Sequence, residues 1–568
     1  MEFHADTPRP GTLNPRLAGQ FDEQAGPRGG DATRHLRAAA HLDRWFRGAA
    51  ITELVENRHR IPAPSPGVDS ALVLEECLTA RRWAVTAATF DLAIGVVGLL
   101  ISVWAVLFAI VVLIIVAVVL AGIRGIASSF RSSKDSAEAM LKRSLFALFV
   151  GAVVLGAVIF FLIRYIQARN AASGQGGGID VVSLIVGALV IIALWAVVGA
   201  VHLYQRQSRL AALLLAGGPN TNPGQAFPQL QKVFKRLHAR ESEAETVYGG
   251  FNAFVGSGLE EREERWSFAV ELRPSAQRRL ENSVPDPLET PDLHRKIHEG
   301  LGDLGDGALY PGDLLHRISV RDRLFRSGLH DKAPTHWYGT YSKIDRKKKN
   351  WILTEEAVDL LDLGSHERLR HYIEARVELW EQQVVASVFL RIHVQGHLLQ
   401  MEGLPFVLPP VKAQYRSVDH VAPPEPGADA ISAICSAVIG MPGALVASLT
   451  EPLAALGSAY RGWSRQRWYR RMLAAGFPVD YGPNVSLREL GAETGYQQRF
   501  QEIDVYRFFT SVRKRVATVV LEALREHGFD TAEFEQFVQS ININNGIQNY
   551  NSLVTAPQAA GIGAKAGK

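Results

Sequence analysis

Two histidine pairs are the residues to weigh first as metal ligands. His393 and His397, in HVQGH, are four residues apart, the spacing at which a helix turns two imidazoles toward one zinc. The flanking VVASVFLRIHVQG is apolar and β-branched, however, and reads as a strand running into a turn. In that setting the two side chains do not share a helical face, so no metal pair is expected. His366 and His371, in HERLRH, have the wrong spacing for one helix face and are expected in solvent. There is no Gx4GK[ST] loop, no HExxH and no GxSxG. The glycines of GSGLEEREE lack the strand and helix that a dinucleotide fingerprint requires. Cys77 and Cys435 sit in apolar neighbourhoods and read as small buried hydrophobes, not as a disulfide or metal site. The sequence therefore nominates no catalytic, cofactor-binding or metal-ligating residue and calls for no cofactor. An enzyme is the less favoured class.

Another chemistry is better represented. Arg346, Lys347, Lys348 and Lys349 form a basic run within KIDRKKKNW. Further on, AYRGWSRQRWYRR interleaves Arg461, Arg465, Arg467, Arg470 and Arg471 with Trp463 and Trp468. Cations mixed with amphipathic aromatics suit an anionic membrane surface, so these eleven residues are candidate lipid contacts. Asp91 is the candidate intramembrane polar residue, because a long apolar run begins immediately after it.

That run positions everything else. Leu92 to Ile123 is thirty-two residues without a charge. A bilayer core needs roughly 20 apolar residues to be crossed as a helix. The stretch is thus a membrane segment, and too long for one untilted span. Two further apolar segments follow, at 144–163 and 179–204, each the length of a simple span. Gly151, Gly156, Gly187 and Gly199 offer places for close helix approach without forming a GxxxG motif.

Lys and Arg set the expected topology. The 124–143 linker carries five basic residues and the 164–178 loop two, while Arg206 and Arg209 follow the third segment. These place the linker and the large C-terminal region inside and the loop outside. Arg81 and Arg82 also ask to be inside, which is satisfied if 84–123 crosses twice as a hairpin of helices near 84–101 and 104–122. One long tilted helix with the N-terminal unit outside is the competing arrangement.

The expected organisation is a disordered N-terminus at 1–32, a small helical cytoplasmic unit at 33–83 and a transmembrane region at 84–204. A cytoplasmic α+β domain follows at 205–427, then a helical region at 428–538 and an Asn-rich flexible tail at 539–568. Asp69 or Ser70 is the expected N-cap of the helix leading into the membrane. Within 205–427, helices are expected at Ala226–Thr246 and Glu367–Leu379. Strands are expected at Trp266–Leu272, His316–Leu324 and through VVASVFLRIHVQG, with Gly396, Gly403 and Pro405 breaking the chain after it. The uncharged stretch Ala430 to Thr450 contains Gly440, Pro442 and Gly443 and reads as membrane-peripheral or re-entrant, or else as a buried helical hairpin. A helix is expected over Tyr496–Glu526. The whole is a multi-pass α-helical membrane region with a cytoplasmic α+β domain and a helical C-terminal region.

Net charge is only +4, which gives no general attraction to nucleic acid. Of the 61 basic residues 47 are Arg, a balance that suggests a GC-rich bacterial source. Several stretches in order, HLRAAAHLDRWF, PSPGVD, FVGSG with WSFAVEL, RIHVQGHLLQMEGLPFVLPPV and HGFDTAEF, resemble a family of uncharacterised multi-span actinobacterial membrane proteins. The resemblance implies a bacterial cytoplasmic (inner) membrane and a cytoplasmic domain, and brings no activity or site residue. The expected function is a non-enzymatic anchor or adaptor whose partners are the lipid bilayer and a cytoplasmic protein assembly, for example a contractile injection system or defence complex. A homo-oligomer is compatible with this, and nucleic acid is not an expected partner. The alternatives are an oligomeric channel or membrane-disrupting effector, and a membrane-bound enzyme with an unrecognised site.

Overall fold

The computed structural model describes residues 30–129, 181–214, 224–241, 245–305, 315, 318–330, 342–345, 350–353, 369–420 and 428–539. The 144–163 segment, the run Arg346–Lys349, residues 1–29 and the Asn-rich tail lie outside them.

The chain opens with α1 (Asp31–Leu42) and α2 (Arg44–Ile51). The Asp43 side chain caps α2, accepting from the Trp45 and Phe46 amides at 2.8 and 3.1 Å. A π-helical turn, Thr52–Glu56, follows. Beyond the Pro-rich 62–67 stretch, Asp69 accepts from Leu72 N at 2.9 Å and starts α3 (Ser70–Ile101). Of the two expected caps, the aspartate is the one used. The first turns of α3 are buried in a soluble core with α1, α2 and the helix α6 (Gln231–Glu241), whose Val233, Phe234 and Leu237 face inward.

Ser102 adopts an extended conformation (φ −157°, ψ 105°) and ends α3, and α4 (Val103–Ser129) begins at once. The Ser102 hydroxyl accepts from Ala105 N at 3.3 Å, a cap for the new helix. A Cβ on Gly98 would lie 2.9 Å from Val106 Cγ2. In a straight helix residues eight apart are separated by about 12 Å along the axis. The chain therefore doubles back at Ser102. The helix α5 (Val181–Leu214) packs on both arms, with Gly187 beside Ala105 and Ile191 against Gly98. These small residues let the backbones approach. Three described helices are long and apolar enough to cross a membrane: α3, α5 and a later one, over Ile439–Ala474.

The soluble part is a mixed, half-barrel-like sheet. Its strands are β1 (Glu245–Tyr248), β2 (Leu259–Glu260), β3 (Trp266–Glu271), β4 (Ser319–Ser327), β8 (Leu369–Leu379), β9 (Val384–Gln395) and β10 (Leu398–Leu408). Small pairs outside it involve β5 (Leu329–His330), β6 (Ser342–Asp345) and β7 (Asn350–Leu353). The order is β1-β4-β8-β9-β10, with β2 and β3 sharing the far edge of β10. β1 runs parallel to β4, and the other pairs of this sheet are antiparallel.

One face, with Ile373, Ala375, Val377 and Val388, packs under α7 (Thr290–Gly302) and α9 (Arg499–Glu526). The other carries Phe325, Tyr372, Phe389 and Phe406 around the ring of Phe254. Burial on both faces corrects three expectations. Within the stretch expected to be helical, Leu369–Leu379 forms β8, because Ile373, Ala375 and Val377 alternate with Tyr372, Glu374 and Arg376, and both sets are buried. The charged residues of the second set are paired, which a periodicity count cannot see. β10 runs straight through Gly403 and Pro405. Gly403 lies under Trp266, where a Cβ would meet the indole at 2.3 Å. Pro405, lacking an N–H, falls between the residues that pair with β3 and those that pair with β2. The helix expected over Ala226–Thr246 is shorter, and Glu245–Tyr248 turns into β1.

The helix α8 (Ala428–Ala474) is continuous through Gly440, Pro442, Gly443 and Pro452. A short helix at 532–539 closes the described chain.

Candidate functional site

Glu76, in the second turn of α3, joins the membrane helices to the soluble core. Its side chain is 1% exposed and takes four contacts. Arg209 of α5 donates through Nε and Nη2 at 2.8 and 3.1 Å, Arg37 of α1 through Nη2 at 3.3 Å, and His41 Nε2 lies at 2.9 Å. A buried carboxylate is stable only when so compensated, and the two-pronged Arg contact also fixes orientation. One group thus ties α1, α3 and α5 together.

A second cluster joins α8 to the N-terminal unit. Glu56 accepts from Arg461 Nε and Nη2, both at 3.0 Å, and lies 3.5 Å from Arg465. Burial would raise the Glu56 carboxyl, but hydrogen bonds from Arg461 and Ser458 outweigh it and hold it below the usual range. Glu451 pairs with Arg44 at 2.9 Å and Arg47 at 3.5 Å, and Arg81 donates to Ser458 Oγ at 3.0 Å.

The candidate lipid contacts divide accordingly. Arg461 and Arg465 are held by Glu56, and Arg465 also donates to Asn57 at 2.8 Å. Trp463 and Trp468 are exposed, with the Arg467 guanidinium 5.3 Å from the Trp463 ring centre, and Arg470 and Arg471 are exposed beside them. Arg346, Lys347, Lys348 and Lys349 lie outside the described residues. Asp91 is buried on α3 with one carboxylate oxygen lacking a hydrogen-bond partner among the described residues. Around it, Val96, Val97, Leu100, Val186, Leu189 and Val197 are exposed, an apolar girdle that suits lipid and not water.

The sheet assembles a group that sequence spacing did not suggest. His294 comes from α7, Asp322 from β4 and His371 from β8, and one ligand-type atom of each lies within 4.8 Å of the others. His371 Nε2 is 3.0 Å and His294 Nε2 3.2 Å from the same atom, Asp322 Oδ1. Burial alone would raise the Asp322 carboxyl, but the imidazoles of His294 and His371 outweigh it and hold it below the usual range. His371 is 6% exposed, which corrects the expectation that it faces solvent. His393 stays on β9 and His397 in the turn after it, so that pair is not brought together as a helical pair would be. On the opposite face Arg323 Nε donates to buried Glu374 at 2.6 Å. Burial would raise the Glu374 carboxyl, but Arg376 and Arg323 keep it lowered.

A family model, the AbeC-like domain, matches residues 265–555, just over half of the chain. The chain belongs to the AbeC-like domain family. No curated protein and no solved structure matches it. The AbeC-like domain takes in β3 to β10, the His294–Asp322–His371 group, α8 and α9, while α3, α5, β1 and β2 precede it. The His–Asp–His group was invisible in the sequence because its members, 28 and 49 residues apart, meet only through strand pairing and helix packing.

Proposed function

We propose that the chain is a non-enzymatic anchor that holds its AbeC-like domain against the inner face of a bacterial cytoplasmic membrane, where that domain docks on or responds to a larger protein assembly. The observation that carries this reading is the four-way contact at Glu76. It couples apolar helices suited to a bilayer directly to α1, and His35 of α1 lies 3.1 Å from Gln383 in the turn between β8 and β9, which favours a sheet held at a fixed orientation and not on a flexible tether. In this reading α3 and α4 cross as a hairpin, the 144–163 segment and α5 cross again, and all the basic clusters lie inside.

The same reading keeps both flanks of the apolar part of α8 on the inner side of the membrane. Asp419 bonds His35 of α1 at 3.0 Å, and Arg461 bonds Glu56 of the same N-terminal unit. Anchors before and after the apolar part of α8 thus sit on one unit.

The topology is tested with single cysteines, in a background with Cys77 and Cys435 replaced, at residue 30, in the 164–178 loop and at residue 475. Only the loop should react with an impermeant reagent in intact cells, and external labelling at residue 30 or 475 would reject the arrangement. The adaptor role is tested by crosslinking in cells followed by detergent extraction and pull-down. A defined set of proteins, lost when surface residues of the sheet are substituted, is expected, and recovery of lipid and background alone rejects it. Asp91 supports one competing reading, an oligomeric channel. That reading requires expression to depolarise cells and Asp91→Asn to change the effect.

A further inference from the structure

We propose that His294, Asp322 and His371 bind a single divalent transition-metal cation of the zinc class, within the AbeC-like domain and independently of its anchoring role. The first argument is distance. Donor atoms about 2.1 Å from one metal and at right angles to each other stand about 3.0 Å apart, and in a tetrahedral site about 3.4 Å. The two His Nε2–Asp Oδ1 separations here are 3.0 and 3.2 Å.

The second is an orphaned atom. His294 Nε2 is buried 3.2 Å from Asp322 Oδ1, a close ion-pair contact, but has no well-formed hydrogen bond among the described residues. Burying such a group without a partner is unfavourable, and a cation seated between the three donors would engage its lone pair. The third is donor type. Two imidazoles and one carboxylate suit zinc and its first-row neighbours, whereas calcium and magnesium prefer oxygen alone.

The placement is rigid. Asp322 and His371 project from the same face of two paired strands, where His371 lies opposite Leu324 and Asp322 opposite Ile373. His294 is fixed by its fully buried helix neighbours Leu293 and Ile297. The Asp322 side chain is 43% exposed, so one flank of the site opens to solvent and leaves coordination positions for water. A bound ion would pin α7 to β4 and β8. The competing arrangement is a plain His–Asp–His hydrogen-bond cluster.

The test uses full-length protein, without a polyhistidine tag, solubilised in detergent and stripped with chelator. Titration with Zn2+ should give one ion per chain, and Co2+ should give visible d–d absorption. Asp322→Asn should weaken Zn2+ binding at least tenfold, and the double substitution His294→Gln with His371→Gln should abolish it. His397→Gln, at the exposed turn, should bind as the parent does. Substoichiometric binding by the parent, or unchanged binding in Asp322→Asn and the double variant, would overturn the proposal. Because the variants could lose metal by misfolding, their circular dichroism without metal is compared with that of the parent. The Co2+ spectrum of the parent decides independently: bands of nitrogen–oxygen coordination support the site, and the spectrum of hydrated Co2+ overturns it.

Discussion

Trp195 and Asp91 meet through the backbone: the indole Nε1 of Trp195 donates to the carbonyl oxygen of Asp91 at 3.0 Å, while the Asp91 carboxylate keeps a buried oxygen with no partner among the described residues. The two side chains should therefore respond oppositely. Asp91→Ala removes an uncompensated polar group and is expected to raise the melting temperature in detergent. Trp195→Phe removes a donor and is expected to cost about 1 kcal/mol. A loss of stability in Asp91→Ala would mean that the carboxylate has a partner after all.

Glu76 should be the most sensitive ionic position of the junction. Glu76→Ala leaves Arg37, His41 and Arg209 facing one another without their common acceptor, a change of about 3–5 kcal/mol for a buried pair broken on one side. Arg209→Met should cost less, because Arg37 and His41 remain at the carboxylate. Thermal unfolding of the two variants checks the order, and equal losses would show that Arg209 alone matters.

Gly403 and Trp266 form a packing pair that a double-mutant cycle can isolate. A methyl at 403 collides with the indole, so Gly403→Ala is expected to destabilise the sheet by about 1–3 kcal/mol. In a Trp266→Leu background the same substitution should cost much less. Denaturant midpoints of the four proteins give the coupling, and additive effects would contradict the geometry.

Stability should fall in mild acid. His59 stacks on Tyr469 with ring centres 3.3 Å apart. Burial first, then Arg60 and Arg465, pull its pKa from 6.5 down to about 4. The folded chain thus takes up this proton later than the unfolded chain. The His59 contribution is complete above about pH 6.5, declines as pH falls towards 4, and changes no further below that. His59→Phe should remove this part of the pH dependence, as read from melting temperatures at pH 7 and pH 4.5.

Different parts of the chain were legible to different degrees. The long charge-free run identified its membrane-compatible helices, because hydrophobicity over twenty residues is a one-dimensional signal. The sharp break at Ser102 lay between the helices expected to end near 101 and restart near 104. β9 was legible because its first seven residues, Val384–Leu390, are apolar except for Ser387. β8 was misread because Arg323, Arg376 and Glu374 neutralise one another across strands, which hides a buried face behind charged letters. His294, Asp322 and His371 were missed for the same reason: their proximity depends on strand register and on where α7 docks. Of the candidate lipid contacts, Arg461 and Arg465 also bond Glu56, which their letters alone do not reveal.

The parallel pairing of β1 with β4 has a practical meaning for anyone dividing this protein. β1 lies upstream of residue 265, as do β2 and the helices that share a core with Val411, Tyr415 and Leu487. The inherited unit and the self-sufficient unit are therefore different lengths of chain. A fragment cut at 265 would present unpaired hydrogen-bonding edges along both β4 and the distal part of β10, a template for aggregation. Expression trials should begin near residue 30.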